Sequence, residues 1–339
     1  MIPFSDIIGQ DSAIAWLRSA YLADRLPHGL IFAGPVGVGK ATTARALAAL
    51  FLCEHPNETS PCGKCQSCRV LEAGTHPDYH VITKELIRYH DKTGKSKGID
   101  LSIHVLRPEL IEPAGRKAVM GRGKVFVIEQ AELMNPQAQN ALLKTLEEPA
   151  GRTLIVLLTD QPGAMLATIR SRCQVVRFTA LEEAVVRDGL RKRKVDPKLA
   201  ERAAELSRGS LGVALKWIAD EVIEPAGELA EQVDAAFEGK PPPDLPGWFK
   251  KAAEAYAQKQ LDRDELASKD QATREGLSLY LMIAGERFRR RLSEVADPGE
   301  LERACAAIDA IARAETYLDA NVNTAIALQQ LALALERRR

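Results

Sequence analysis

The sequence has no surplus of either charge, because its 46 lysine and arginine residues equal its 46 aspartate and glutamate residues. Without a positive surplus the chain lacks the long-range field of a primary nucleic-acid binder, so any DNA contact is expected to be local or shared with partners. No run of about 18 uncharged apolar residues is present, so we expect no membrane association through a spanning helix. The first residues lack the basic region and apolar run of a secretion signal, and we therefore expect a cytoplasmic protein.

Cysteine is scarce, and its distribution is uneven. Four of the six cysteines lie between positions 53 and 68. In a reducing compartment such a cluster favours metal binding over a disulfide framework.

The composition is that of a folded protein with more than one domain. Apolar residues make up 46% of the chain and charged residues 27%, which argues against wholesale disorder. At 339 residues the chain is long enough for two or three domains, each with a core of its own.

Apolar runs separated by helical patterns predict a parallel sheet covered on both faces. The clear runs are at 30–32, 125–128 and 154–158, and weaker candidates lie at 78–83 and 174–178. These segments predict about five strands before residue 179. The basic, glycine-containing stretch 89–100 has no apolar period and predicts an exposed loop.

Beyond about residue 181 the strand signals stop and helical patterns continue to the end of the chain, with interruptions at 209–210 and 241–247. The fold class predicted is therefore α/β followed by all-α. A domain boundary is expected near residue 179 and a second one near 222. The proline-rich run 241–247 fits either a linker between domains or a loop within the last one.

A glycine-rich segment with a lysine follows the first apolar run and precedes a helical pattern, as in a P-loop. Its backbone N–H groups can curl around a phosphate, the helix N-terminus adds its dipole, and the lysine can reach the outer phosphates. The segment therefore predicts a nucleotide or phosphate site built from Gly34, Gly37, Gly39 and Lys40.

The positions that support hydrolysis in an active P-loop ATPase carry less suitable residues here. Ala41 stands where a serine or threonine normally holds Mg²⁺, and Thr42 lies about 100° further round the helix. Glu129 keeps a carboxylate after its strand, but Gln130 has no charge with which to orient an attacking water. Thr159 ends another strand, where it can face a γ-phosphate. We predict that the site holds nucleotide or phosphate with poorly held magnesium and no efficient turnover, although an active ATPase with tolerated substitutions remains an alternative.

The cysteine cluster has the spacing C-x8-C-x2-C-x2-C and consists of Cys53, Cys62, Cys65 and Cys68. Four sulfurs complete a tetrahedral zinc shell, which predicts a closed structural site. An iron–sulfur cluster and unrelated free thiols remain alternatives. The nearby His55 and His76 are expected to be surface or loop residues rather than ligands.

Arg172 lies in the segment 169–173, after the last clear internal strand. An arginine offered to a neighbouring subunit's phosphates can stabilise the charge of phosphoryl transfer. On spacing alone, however, an arginine at such a position is in most proteins simply a surface residue.

In combination, several segments resemble the delta-prime subunits of the bacterial DNA polymerase III clamp loader, which belong to the AAA+ class and are related to tau/gamma. The resemblance rests on the residues at 4–10, 28–30, 140–149 and 171–173 together with the cysteine cluster. It covers about the first 180 residues, and the remainder matches only in being helical.

The resemblance implies a three-domain AAA+ architecture. Its parts are a P-loop αβα domain at 1–178 with a zinc module at 53–68, a small helical lid at 179–222 and a helical collar at 223–339. The apolar segment 325–333 would pack against sister subunits or form the collar's own core. In this family the Ser-Arg-Cys segment supplies an arginine finger, which corresponds to Arg172, to the ATP of the adjacent subunit. The arginine that active family ATPases carry after Gly-Ser-Leu is replaced by Gly212.

The implied role is that of a non-polymerising stator in a pentamer with tau/gamma and delta subunits, which opens the sliding clamp and loads it on primed DNA. A hydrolysing tau/gamma-like motor is one rival interpretation. A nucleotide-binding regulator that acts alone is the other.

Overall fold

The computed structural model describes residues 3–90, 100–237, 244–263, 268–294, 298–319, 326 and 328–332. Three predictions fall partly outside these residues. They concern the basic loop 89–100, of which 91–99 is not described, the proline-rich run 241–247, of which 241–243 is not described, and the C-terminal segment 325–333.

A five-stranded parallel sheet forms the first part of the fold. Its strands are β1 (Gly29–Ala33), β2 (Tyr79–Ile82), β3 (Lys124–Ile128), β4 (Thr153–Thr159) and β5 (Gln174–Arg177). They lie in the order β2-β3-β4-β1-β5. Gly29 pairs with Ile155 and Ala33 with Thr159, so the carboxyl ends of β1 and β4 meet at the same edge. All five predicted strands are present.

Helices make up most of the remaining described chain. In chain order they are α1 (Asp11–Leu22), α2 (Lys40–Leu52), α3 (Gln66–Glu72), α4 (Ile87–His90), α5 (Ile103–Leu106), α6 (Glu112–Ala114), α7 (Pro136–Glu147), α8 (Ala167–Arg170), α9 (Glu183–Lys192), α10 (Pro197–Leu206), α11 (Leu211–Ala219), α12 (Ile223–Phe237), α13 (Leu245–Arg263), α14 (Lys269–Glu294) and α15 (Pro298–Asp319). The predicted fold class, α/β and then all-α, is confirmed.

Side chains along each strand alternate between two apolar cores on opposite faces of the sheet. In β1, Leu30 and Phe32 belong to one core, whereas Ile31 and Ala33 belong to the other. Helix α2 contributes to the first core and α7 to the second. Burial on both faces explains why these strands are continuous apolar runs rather than alternating ones.

The described chain divides into two compact units. One comprises Met1–Gly189 and Arg208–Val213, and the other comprises Leu190–Ser207 and Ala214–Arg339. The three-domain division at residues 178 and 222 stays a prediction. In the second unit Leu328, Leu331 and Ala332 are buried within the chain, whereas Ile326 is half exposed.

Part of the proline-rich run is helical, which corrects its interpretation as an interruption throughout. Helix α13 begins at Leu245, with Pro246 in its first turn, where proline costs no intrahelical hydrogen bond. The Asp244 carboxylate accepts the Gly247 N–H at 2.9 Å and so caps the helix. Among the described residues no helix combines the length and apolar character needed to span a membrane.

Candidate functional site: P-loop, cysteine cluster and Arg172

The predicted P-loop connects the end of β1 to the start of α2. The Gly34 N–H donates to Thr159 O at 3.1 Å, which ties the start of the loop to the end of β4. Gly37 and Gly39 have φ values of +74° and +109°, a region that side chains rarely adopt. The backbone of the loop between β1 and α2 therefore requires glycine at these two positions.

The loop leaves several of its backbone N–H groups without a partner among the described residues. Within the described part of the chain, the N–H groups of Gly37, Val38 and Gly39 have no hydrogen-bond acceptor. Lys40 Nζ donates to the carbonyl oxygens of Gly34 and Pro35, the second at 2.6 Å. Free N–H groups and a lysine at a helix N-terminus are the features with which a P-loop can bind an anion, and we call this segment the P-loop cradle.

Two carboxylates that the sequence analysis did not single out act on Lys40. Burial lowers the pKa of Lys40, and the charges of Asp160 and Glu132 oppose part of that shift. Asp160 directly follows β4, so its position at the carboxyl edge of the sheet could have been inferred from the parallel strand order. Glu132 Oε2 is buried and has no hydrogen-bond partner among the described residues.

The predicted Glu129 and Thr159 have other immediate partners. Burial and the nearby Glu85 carboxylate raise the pKa of Glu129, which is half buried. Thr159 is 1% exposed, and its Oγ1 accepts the Gln161 N–H at 3.0 Å. Neither of these interactions involves Lys40.

The first turn of α2 presents no hydroxyl in the usual metal-binding position. Ala41 is exposed, and Thr42 is half buried one residue later. Thr43 is buried, and its hydroxyl donates to Gly39 O at 2.8 Å, which leaves it bonded to the helix backbone. The first turn of α2 therefore lacks the serine or threonine ligand that a magnesium ion usually finds beside a P-loop.

Gly212 lies against the P-loop, at the position where the resemblance leads one to expect an arginine. Its N–H donates to Gly37 O at 2.9 Å. A Cβ at position 212 would lie 2.8 Å from Gly37 O, and a Cβ at position 37 would lie 2.3 Å from Ser210 Oγ. Only glycines at both positions allow this close backbone approach.

The four clustered cysteines converge on one point. Their sulfur atoms all lie within 4.8 Å of one another, and Cys53 Sγ is 4.0 Å from Cys65 Sγ. Sulfurs about 3.8 Å apart are expected around a tetrahedral ion with Zn–S bonds of about 2.3 Å. All four cysteines are free thiols, and the donor set can bind a metal.

Backbone N–H groups already point at the sulfurs. Cys62 N donates to Cys53 Sγ at 3.2 Å, and Cys65 N donates to Cys62 Sγ at 3.4 Å. Hydrogen bonds from the Lys64 and Cys65 N–H groups lower the pKa of Cys62 to about 6, whereas burial raises the pKa of Cys53 and of Cys68. Turns that donate to sulfur stabilise the thiolate form that binds metal.

His76 lies in the loop between α3 and β2, as expected, but it is buried rather than at the surface. It is 5% exposed, its Nδ1 accepts the Asp78 N–H at 3.0 Å, and its Nε2 faces Ser67 Oγ at 3.0 Å. The Ser67 hydroxyl in turn donates to Leu52 O at 2.8 Å. His76 therefore connects Asp78 to Ser67 within the cluster, and Ser67 connects in turn to the residue before Cys53.

Arg172 follows α8 and is partly exposed. Its Nε donates to Glu147 Oε1 at 2.8 Å, and its Nη2 donates to the same oxygen. Its Nη1 donates to Thr168 O at 2.9 Å. The guanidinium is thus held from two sides near the surface of the first unit.

A family model described as "DNA polymerase III, delta subunit" matches residues 9–182, just over half of the chain. The chain belongs to this family. The matched span contains the P-loop, the four clustered cysteines and Arg172, so every predicted site residue lies within the part of the chain that the family model describes.

Several curated DNA polymerase III subunits are similar to this chain over part of their length. The delta' subunit of DNA polymerase III from Pseudomonas aeruginosa is 39% identical over 146 residues, 43% of this chain and 41% of the relative. The delta' subunit from Escherichia coli is 35% identical over 208 residues, 59% of each chain. The tau/gamma subunit from Haemophilus influenzae is 34% identical over 183 residues, 54% of this chain and 25% of that protein. The chain thus spans about half the length of the delta' relatives it matches.

Proposed function

We propose that the chain is a delta-prime-type subunit of a clamp loader, which assembles with tau/gamma-type and delta-type subunits and acts on their nucleotides rather than on its own. The observation that carries the proposal is Arg172, ordered near the surface within a Ser-Arg-Cys segment. Family membership supports the replicative context. The sliding clamp and primed DNA are the proposed substrates of the assembled complex.

Weak or absent hydrolysis at the chain's own P-loop follows from the contacts there. The cradle can hold a phosphate, but Ala41 offers no metal ligand and Gln130 no charge for a water. Hydrolysis needs the metal and the water placed together. Gly212 also cannot supply the guanidinium that an arginine would bring to the phosphates.

Arg172 acts in this proposal on a neighbouring subunit. Phosphoryl transfer builds charge on the oxygens of the transferred group, and a guanidinium stabilises that charge through planar, paired N–H groups. Such an arginine raises the rate by about 10³ to 10⁵ where its effect has been isolated. The neighbour supplies the phosphates and the metal, and this chain supplies the cation.

The cysteine cluster holds zinc in a structural role in this proposal. Four thiolates leave no open coordination position for a substrate or a water. Bound zinc would join the end of α2 to α3 and stiffen the region beside the P-loop helix.

Replacement of Arg172 by alanine tests the function. In a complex reconstituted with tau/gamma-type and delta-type subunits, we expect Arg172→Ala to assemble normally and to slow DNA- and clamp-stimulated ATP hydrolysis and clamp loading. Lysine at this position should rescue poorly because it keeps the charge but loses the planar fork. Arg170→Ala is the matched control, because Arg170 is an exposed arginine two residues earlier.

Normal clamp loading by a correctly assembled Arg172→Ala complex would contradict the proposal. The isolated wild-type chain provides a second test, since it should hydrolyse ATP at far less than about 1 per second. Turnover near that rate would instead favour a tau/gamma-like motor.

A further inference from the structure

Three segments that are far apart in the sequence meet beneath Arg172. His28 Nε2 lies 2.6 Å from Leu146 O, near the C-terminal end of α7. A Cβ at Gly29 would lie 3.0 Å from Cys173 Sγ and 3.2 Å from Arg172 O, so the backbone of residues 172–173 packs closely on the start of β1. The main chain that carries Arg172 is therefore packed on the start of β1, which α7 also contacts.

The side chain of Arg172 extends from this backbone toward the last residue of α7, Glu147. A single oxygen of the Glu147 carboxylate accepts from both Nε and Nη2, while Thr168 O accepts from Nη1. The contacts with Glu147 and with Thr168 lie on opposite edges of the planar guanidinium, so together they set its position and the orientation of its plane. Arginine side chains otherwise have large rotamer freedom.

We propose that Glu147 is a positioning residue, which orders the Arg172 guanidinium before a neighbouring subunit's phosphates reach it. This inference rests on the proposed function, because it assumes that Arg172 is the group that acts on the neighbour. The ion pair is half exposed, with 33% of the Arg172 side chain and 48% of the Glu147 side chain accessible, so solvent screens its charges. Its contribution is therefore geometric order rather than stability.

A carboxylate beside a phosphate-binding arginine has two opposing effects. It reduces the freedom of the guanidinium, which aids a reaction that depends on placement. It also repels phosphate, which hinders the same reaction. Glutamine separates the two effects, because its amide oxygen can still accept from the guanidinium but carries no charge.

The experiment uses a reconstituted complex in which only the ATPase site adjacent to this chain is active. We expect Glu147→Ala to lower kcat at that site about tenfold, Glu147→Gln about twofold, and both to leave KM nearly unchanged. In the Arg172→Ala background Glu147→Ala should cause no further loss, because Glu147 acts through Arg172. Glu148→Ala is the control, since Glu148 is the exposed glutamate next in the chain.

A measurement on the isolated chain is independent of the reaction. The ¹⁵N resonance of Arg172 Nε should move toward the position of a solvent-exposed arginine in Glu147→Ala and stay in place in Glu148→Ala. The inference is wrong if Arg172→Ala slows hydrolysis while Glu147→Ala does not. It is also wrong if the losses of the two alanine variants multiply in the double variant, or if Glu147→Gln speeds hydrolysis. An Arg172→Ala complex with normal hydrolysis would overturn the proposed function as well, and the resonance would then report only a surface ion pair.

Discussion

Among single residues, Cys65 combines several roles in the cysteine cluster. Its Sγ lies 4.0 Å from Cys53 Sγ and accepts the N–H of Cys68 at 3.4 Å. The residue is also the N-cap of α3. One side chain therefore joins the metal-binding point to the helix that presents Cys68.

Replacement of Cys65 by serine should remove bound zinc and lower the free energy of unfolding by about 3 kcal/mol or more, because metal binding contributes directly to folding. Metal analysis of the purified protein and urea unfolding measure the two effects. Cys305→Ser is the matched control, because Cys305 is an exposed free thiol outside the cluster. Wild-type protein that contains no zinc and whose four clustered thiols alkylate freely would contradict the prediction.

The sequence could predict the convergence of the four cysteines and the glycine-rich turn between β1 and α2, because each depends on neighbouring positions in the chain. It did not indicate Glu132, Asp160 or Glu147 as partners of charged site residues. Those pairs are made across the sheet edge or between the ends of two helices, so they depend on the tertiary fold. The burial of His76 was missed for the same reason, since its hydrogen bonds to Ser67 and Asp78 require the folded cluster.

Among the elements, the strands could be predicted because burial on both faces of a parallel sheet leaves continuous apolar runs. The start of α13 could not be predicted well, because Pro246 and Gly247 are typical of loops as well as of first helical turns. The contact between the P-loop and the start of α11 was not predictable from either segment alone. It depends on two glycines separated by 175 positions in the sequence, Gly37 and Gly212.

Two helical glycines should respond in opposite directions to alanine. Gly212→Ala places a methyl group 2.8 Å from Gly37 O, and we expect it to lower stability by about 1–3 kcal/mol. Gly227 lies inside α12, where the nearest atom that the added Cβ would meet in the described part of the chain is Arg202 Nη1 at 4.0 Å. Gly227→Ala should therefore raise stability by up to about 1 kcal/mol through helix propensity.

Urea unfolding of both variants and the wild type measures these changes. Equal, small effects of the two substitutions would mean that the P-loop moves away from α11 without cost. A stabilised Gly212→Ala protein would contradict the close approach itself.

In the molecule as a whole, the candidate site residues belong to one of the two compact units. The P-loop, the cysteine cluster and Arg172 all lie within Met1–Gly189. The other unit has its own apolar core, in which Phe249, Tyr280 and Leu281 are buried. A ligand of the first unit should therefore change the local stability of that unit far more than the stability of the second.

Removal of zinc with a chelator tests this division. Amide hydrogen exchange should accelerate strongly in α3 and in the C-terminal half of α2, which carry or adjoin the cysteines, because the metal no longer contributes to their folding. Exchange in α13 and α14 should change little, since neither helix carries a metal ligand. Mass spectrometry of peptides from both units, before and after chelation, measures the difference, and addition of zinc should restore the original rates. Equal acceleration in both units would mean that they unfold as one cooperative body, and unchanged exchange in α3 would mean that the cluster does not stabilise its own surroundings.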